Sequence, residues 1–163
     1  MRAFHAPFAG LMVLLPACAQ AAVTGTATAK ITIPKTCTMS SSTSLLDFGT
    51  QTVTGTTVTQ TDGSLTGINV FCSYNSAVSV YATSANASSS QFRLKNGSTY
   101  LNYNVYSDSS RSTAWPQSSG ATGASATGNG TTALSYALYG RIPAQSITLP
   151  GTYTDTITVT VSY

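Results

Sequence analysis

Residues 153–163 read YTDTITVTVSY, and this stretch decides the fold class. Its even positions are all Thr or Ser. Its odd positions are mostly apolar and run Tyr153, Asp155, Ile157, Val159, Val161 and Tyr163. An alternation of period two with one apolar face is typical of a β-strand that is buried on one side only. The turn residues Pro150 and Gly151 precede it, so we expect the strand to start just after them.

Similar short runs, separated by turn residues, fill much of the chain before this strand. They lie at residues 45–49, 53–59, 65–72, 78–81, 100–106 and 133–142. Between them, residues 117–130 read QSSGATGASATGNG, which predicts a loop because it offers few packing side chains. No stretch of about ten residues shows the helical period of about 3.6. Many short strands in one domain of this length predict an all-β sandwich.

The N-terminus carries the features of an export signal. Arg2 is followed by the apolar run AGLMVLL at residues 9–15, and Ala19-Gln20-Ala21 has the small-x-small pattern that signal peptidase cleaves. The run is far shorter than the roughly 20 residues of a membrane span. We therefore predict a signal peptide at residues 1–21. A lipoprotein signal ending at Cys18 is the alternative reading.

Removal of this signal would leave few groups for catalysis. The only His, His5, would be lost; the chain has no Glu, and its four Asp residues are far apart in sequence. General acid–base catalysis most often uses His or paired carboxylates, and the sequence contains no phosphate-binding glycine motif. With 7% charged residues and a net charge of +3, no basic stripe for nucleic acid is present. The sequence therefore predicts neither an enzyme nor a protein with a metal or other cofactor.

Two cysteines, Cys37 and Cys72, would remain after cleavage. An even number of cysteines in an exported protein is typical of a disulfide. Two cysteines without a histidine do not make a usual zinc site. We predict a structural disulfide between them.

Directly after the predicted cleavage site, residues 22–33 also alternate. The side of this strip with the apolar and small residues consists of Val23, Gly25, Ala27, Ala29, Ile31 and Ile33. A free terminal tail has no reason to alternate in this way. From the pattern alone, the strip is either the first strand of the chain's own sandwich or a strand that pairs with another chain.

Several short motifs follow one another along the chain. After Cys37 come the segments Leu46–Gly49 (LDFG), Gly63–Cys72, Leu101–Asp108 with Arg111 and Trp115, Tyr139–Ile142 (YGRI) with Gln145, and Gly151–Thr156 (GTYTDT). In this order the motifs resemble the spore coat protein U domain, the pilin domain of archaic chaperone–usher pili. The similarity covers nearly all of residues 22–163.

This resemblance implies an immunoglobulin-like sandwich that lacks its last strand. In such pilins a periplasmic chaperone fills the open groove until the N-terminal extension of the next subunit replaces it, which is β-augmentation. Residues 22–33 would then be the donor strand, with Val23, Gly25, Ala27, Ala29, Ile31 and Ile33 facing the groove. The residues that face the chaperone or the incoming strand would be Ile157, Val159, Val161 and Tyr163. Expected partners are the periplasmic chaperone, an outer-membrane usher, and other copies of this chain or related pilins.

The expected function is that of a shaft or adaptor subunit of a surface pilus that supports adhesion and biofilm formation, after export through the periplasm. Two alternatives remain at this point. One is a secreted, self-contained sandwich that binds a carbohydrate or surface ligand near Trp115, beside Pro116. The other is a monomeric envelope or coat protein with the same fold.

Overall fold

The computed structural model describes residues 22–41, 45–53, 55–120, 124–147 and 149–163. The predicted signal peptide at residues 1–21, including Cys18, lies outside the described residues. The chain divides into two units, Met1–Thr32 and Ile33–Tyr163. Among the described residues no helix has the length and apolar character needed to cross a membrane.

The described part of the second unit is built from strands in three sheets. The strands are β1 (Cys37–Ser41), β2 (Thr57–Val58), β3 (Thr61–Cys72), β4 (Ala77–Ser84), β5 (Phe92–Asn96), β6 (Thr99–Tyr106), β7 (Ser125–Thr127), β8 (Leu134–Ile142), β9 (Gln145–Ser146) and β10 (Ile157–Ser162). The first sheet has the order β1-β3-β8-β6-β5, the second has the order β10-β4-β7, and β2 pairs with β9. Every strand pairing is antiparallel.

The first two sheets enclose one apolar core. In β3 the alternating residues Ile68, Val70 and Cys72 are buried, as the period-two pattern predicts. Leu138 of β8 and Val80 of β4 are fully buried in the same cluster. Because these side chains come from both sheets, the unit is a β-sandwich. The all-β sandwich prediction is therefore confirmed.

A bulge in β3 shifts the register of its pairing with β8 and so keeps the apolar side chains of β3 on the core side. Leu65 pairs with Leu138 and Ile68 pairs with Tyr136, so the register shifts between the two pairs. Gly67 lies in this interval with φ of 78°, a left-handed conformation that glycine adopts without steric cost. The shift lets Leu65 and Ile68 both reach the core although they are three residues apart.

Two paired glycines allow the LDFG segment to pack closely against the first sheet. Gly63 of β3 lies opposite Gly140 of β8, and together they leave a flat area on the first sheet. A Cβ atom on Gly140 would lie 2.6 Å from Cζ of Phe48, and one on Gly63 would collide with the backbone carbonyl oxygen of Asp47. The segment from Leu46 to Phe48 therefore packs directly against backbone, which any larger residue at these two positions would prevent.

Some boundaries differ from the sequence predictions. β5 was not predicted, because its sequence FRLKN has only two apolar residues among charged and polar ones. β7 lies inside the segment predicted to be a loop. β10 begins at Ile157 rather than just after Gly151, since the preceding residues make other contacts: Thr154 forms an isolated bridge with Lys95, and the Tyr153 hydroxyl donates to the Leu149 carbonyl oxygen at 2.6 Å.

Residues 22–36 have no assigned secondary structure. Their side chains are all exposed, and the exposed fraction reaches 96% at Val23, 82% at Ile31 and 80% at Ile33. The structure therefore assigns no strand to residues 22–33, and their role as a donor strand stays a prediction. Val23, Ile31 and Ile33 are thus large aliphatic side chains that remain exposed in the structure.

Candidate functional site

Strand β4 has hydrogen-bonded neighbours along both of its edges, whereas among the described residues β10 has one along a single edge. β4 pairs with β10 on one side; on the other side it pairs with β7 and forms hydrogen bonds with the backbone of two loops. The amide of Val80 donates to the Ala124 carbonyl oxygen at 3.1 Å, and the amide of Ala82 donates to the Pro116 carbonyl oxygen at 2.9 Å. Within the described residues no strand pairs with the second edge of β10. This edge leaves backbone donors and acceptors available to another chain.

The burial of side chains changes sharply from β4 to β10. Val80 and Ala82 have no exposed surface, whereas their register partners Val161 and Val159 are only partly buried. Both pairs belong to the same apolar cluster, so the partial exposure does not result from the strand facing solvent. A strand placed along the free edge of β10 would cover the exposed part of these side chains.

The residues predicted to face the groove are thus distributed as follows. Ile157, Val159 and Val161 lie on the core face of β10 and are partly buried. Tyr163 lies after the end of the strand and is 58% exposed. The assignment of all four residues to a groove stays a prediction.

A partly buried hydrogen-bond network fixes the start of β10. The Tyr103 hydroxyl of β6 donates to Oδ2 of Asp155 at 2.6 Å, and Tyr103 is 1% exposed. The side-chain amide of Asn86 donates to Oδ1 of Asp155 at 3.0 Å. Burial, together with the neighbouring Asp155 carboxylate, raises the pKa of Tyr103 well above its usual value, so the hydroxyl remains a donor at neutral pH. Asp155 therefore ties the entry of β10 to the first sheet.

The sequence analysis did not identify this role of Asp155. Its position on the apolar side of an alternating stretch was the available signal, because a charged residue there must find hydrogen-bond donors. The partners could not be found from sequence, since Asn86 and Tyr103 are 69 and 52 residues away.

The predicted disulfide between Cys37 and Cys72 is present, with the two residues 35 positions apart in the chain. It joins directly opposite residues at the ends of β1 and β3. Two hydrogen bonds extend the ladder by one residue: the Thr36 amide donates to Ser73 Oγ at 3.1 Å, and the Ser73 amide donates to the Thr36 carbonyl oxygen at 2.9 Å. The exposed N-terminal segment therefore joins the sandwich at a covalently fixed point.

The other three carboxylates have local structural partners. Asp62 forms a two-pronged ion pair with Arg141, with distances of 2.7 and 3.0 Å, and lies 3.4 Å from Nε of Arg111. The hydrogen bond from Arg141 is the main cause of a lowered pKa for Asp62. Asp108 accepts bonds from Ser110, Ser112 and Thr113, which lowers its pKa, and Asp47 caps the Gly49 amide at 2.8 Å. In the described part of the chain no three His, Cys, Asp or Glu residues cluster as a metal site would require.

Trp115 does not have the placement that carbohydrate stacking requires. The residue is 2% exposed, and its ring packs edge-to-face against Tyr136 with centroids 6.2 Å apart. Its amide donates to the Val105 carbonyl oxygen at 2.8 Å. The indole is therefore part of the core, which disfavours the alternative that this ring stacks on a sugar.

Comparisons with known proteins agree with this architecture. A family model described as "Spore Coat Protein U domain" matches residues 23–160. The comparison with curated proteins found no match. Among solved structures, the chain is similar to one in the CsuC–CsuE chaperone–tip adhesion subunit pre-assembly complex from the archaic chaperone–usher Csu pili of Acinetobacter baumannii.

That likeness has a TM-score of 0.50 and 21% sequence identity. It covers 81% of this chain and 40% of the other, so this chain spans less than half the length of the protein that it matches. At this identity the likeness shows the fold.

Proposed function

Because the chain belongs to the Spore Coat Protein U domain family, we propose that it is the structural subunit of a surface pilus assembled through a chaperone–usher pathway. The observation that carries this proposal is the edge of β10 that no strand pairs with in the described part of the chain, with its partly buried Val159 and Val161, beside a β4 that is paired on both sides. Such an edge is the docking site for one more strand.

The strand that we propose for this edge is the segment 22–33 of another copy or of a related pilin. Its apolar positions would face the core beside β10, and its Thr positions would face solvent. About 1.5–3 kcal/mol for each fully buried aliphatic side chain gives roughly 5–9 kcal/mol for Val23, Ile31 and Ile33 together. Each new backbone hydrogen bond adds about 0.5–1.5 kcal/mol. Segment 22–33 is long enough for this, since about twelve residues at roughly 3.3 Å each exceed the six residues of β10.

The unpaired edge of β10 is also the reason for proposing a periplasmic chaperone and an outer-membrane usher as partners. A subunit that waits in the periplasm with an unpaired edge and uncovered aliphatic side chains would aggregate. A periplasmic chaperone that supplies a temporary strand prevents this, and an outer-membrane usher is the place where the next subunit replaces it. The exported fibre at the cell surface would then serve adhesion and biofilm formation. The structural similarity to a chain in a chaperone–subunit complex supports this assignment.

Deletion of residues 22–33 tests the proposal. The truncated subunit keeps its groove, so we expect it to bind the chaperone but to form no fibres. Electrophoresis of cell-surface material without boiling should show a ladder of polymers for the full chain, which collapses on heating, and no ladder for the truncated chain. A truncated chain that unfolds, together with a full chain that never polymerises, would instead support a self-contained sandwich.

The two alternative functions receive less support from the structure. A carbohydrate site at Trp115 would need an exposed indole, and that side chain is 2% exposed. A monomeric coat protein would leave the edge of β10 and the aliphatic residues of the N-terminal segment without a partner. Full-length protein that stays monomeric in the electrophoresis experiment would contradict the pilus proposal and leave these two alternatives.

A further inference from the structure

We propose that the Cys37–Cys72 disulfide directs tension past β1 and into β4, the strand that holds β10. The inference rests on the proposed function, because a pilus subunit is pulled at two places. One is its own N-terminal extension, which the preceding subunit holds. The other is β10, which holds the extension of the following subunit. The structure shows a short connection between these two places.

The connection begins where the extension joins the sandwich. Thr36 and Ser73 exchange two hydrogen bonds of 3.1 and 2.9 Å, and the next pair, Cys37 and Cys72, is covalently linked. Tension on Thr36 is therefore transferred to Cys72 before it can act on the rest of β1. Without the disulfide, the same tension would act on the ladder between β1 and β3, which has five residue pairs.

From Cys72 the chain reaches β4 through only four residues, and this turn is held in place. Ser76 is fully buried, and its Oγ lies 2.8 Å from Ser73 Oγ. The backbone of Gly128 donates to Ser76 O and accepts from Asn75 N, both at 2.8 Å. A Cβ atom on Gly128 would lie 2.7 Å from Cβ of Cys72, so the loop packs against the disulfide itself. A turn with these contacts transmits force with little extension.

The last step leads from β4 to β10. The two strands pair along six residues, from Ile157 opposite Ser84 to Ser162 opposite Ser79. Between the extension and β10, the connection is therefore covalent except for this single ladder. Apart from Cys72 at the end of β3, strands β3, β8, β6 and β5 of the first sheet do not belong to this connection. The resistance of a subunit to tension should then depend on the β4–β10 pair more than on the first sheet.

Stretching of assembled fibres in an optical trap tests this inference. Val80→Ala removes a fully buried side chain from β4, and Val105→Ala makes the same change at a 3% exposed site in β6, which makes it the matched control. We expect Val80→Ala to lower the force at which subunits yield and Val105→Ala to leave it unchanged. In C37S/C72S the yield force should also fall. Each unfolding step should lengthen by about 115–125 Å, because the 35-residue loop becomes extensible.

The outcomes separate this inference from the proposed function. Absence of fibres from the full chain overturns the proposed function, and this inference with it. If fibres form but Val105→Ala weakens them as much as Val80→Ala, or if C37S/C72S fibres yield at the wild-type force, the load path alone is overturned. Should C37S/C72S not assemble, reduction of wild-type fibres after assembly provides the same comparison with the disulfide open.

Discussion

Val161 lies directly opposite Val80 in the antiparallel pair of β10 and β4, yet only Val80 is completely buried. The two residues have the same side chain, belong to the same apolar cluster and differ only in their position in the sheet. Val80 has neighbours on both sides, whereas Val161 lies on the edge strand. The difference in burial thus marks the edge of the sandwich at which the described residues supply no further strand.

Ile31→Ala should weaken the polymer without weakening the isolated subunit. Ile31 is 82% exposed in the structure, so its loss removes little from the folded monomer. If segment 22–33 occupies the groove of another copy, the same change costs about 2–5 kcal/mol at a well-packed site. The midpoint of polymer dissociation in guanidinium chloride measures this. Thr32→Ala, on the opposite side of the strip, is the control and should leave the midpoint nearly unchanged.

Gly63→Ala should destabilise the subunit. The added methyl group collides with the backbone carbonyl oxygen of Asp47, so the LDFG segment must move away from the sheet. We expect a loss of about 1–3 kcal/mol in the free energy of unfolding, measured with urea. Gly25→Ala is the matched control, because no atom lies within 4 Å of a Cβ at that position. An equal stability of the Gly63→Ala variant and the wild type would contradict the described packing.

Asp62 should contribute to stability at neutral pH and lose this contribution in acid. Its hydrogen bond from Arg141 lowers its pKa in the folded state below the ordinary value of 3.8. Stabilisation from a lowered carboxyl pKa is present above the unfolded pKa and disappears as the pH falls through the folded one. Asp62→Asn should therefore be less stable than wild type at neutral pH, and the difference should narrow below about pH 4. Urea unfolding at both pH values measures it; a difference that does not change with pH would contradict the ion pair.

Tyr103→Phe should destabilise the entry of β10. The change removes the 2.6 Å hydrogen bond to Asp155 and leaves that carboxylate with one donor fewer. A partly buried acceptor that loses its donor costs about 1–3 kcal/mol in the free energy of unfolding. Tyr100→Phe, in the same strand but 41% exposed, removes a hydroxyl at the surface and should change stability little. Equal stabilities of the two variants would show that the Asp155 network does not support β10.

Much of the fold could be predicted because most strands carry a local alternation of apolar and polar residues. Val159 and Val161 alternate with Thr residues, and Ile68, Val70 and Cys72 alternate in β3, so one buried face follows from period two. β5 could not be predicted this way: Arg93 and Lys95 interrupt its apolar pattern, and its pairing with β6 depends on a hairpin turn at Gly97 with φ of 57°. Local pattern alone cannot show such tertiary support.

The candidate site could be predicted only in part. The apolar positions of β10 were recognised. Their incomplete burial depends on which strands lie beside β10, and the local sequence of β10 does not show which strands these are. The alternative of a sugar site near Trp115 came from an aromatic residue in a turn-rich stretch, whereas a contact with Tyr136, 21 positions away, places the ring in the core. The disulfide was predictable because only two cysteines follow the predicted cleavage site.

Hydrogen–deuterium exchange at the amides of β10 tests most directly whether this strand receives a partner from another chain. It would compare native polymers of the full chain with the subunit that lacks residues 22–33. We predict that those amides of Ile157–Ser162 that point away from β4 exchange slowly in the polymer and much faster in the truncated subunit, while the amides of β4 are protected in both. Equally slow exchange of β10 in the two samples would contradict the account, because the edge would then be closed by the subunit's own residues.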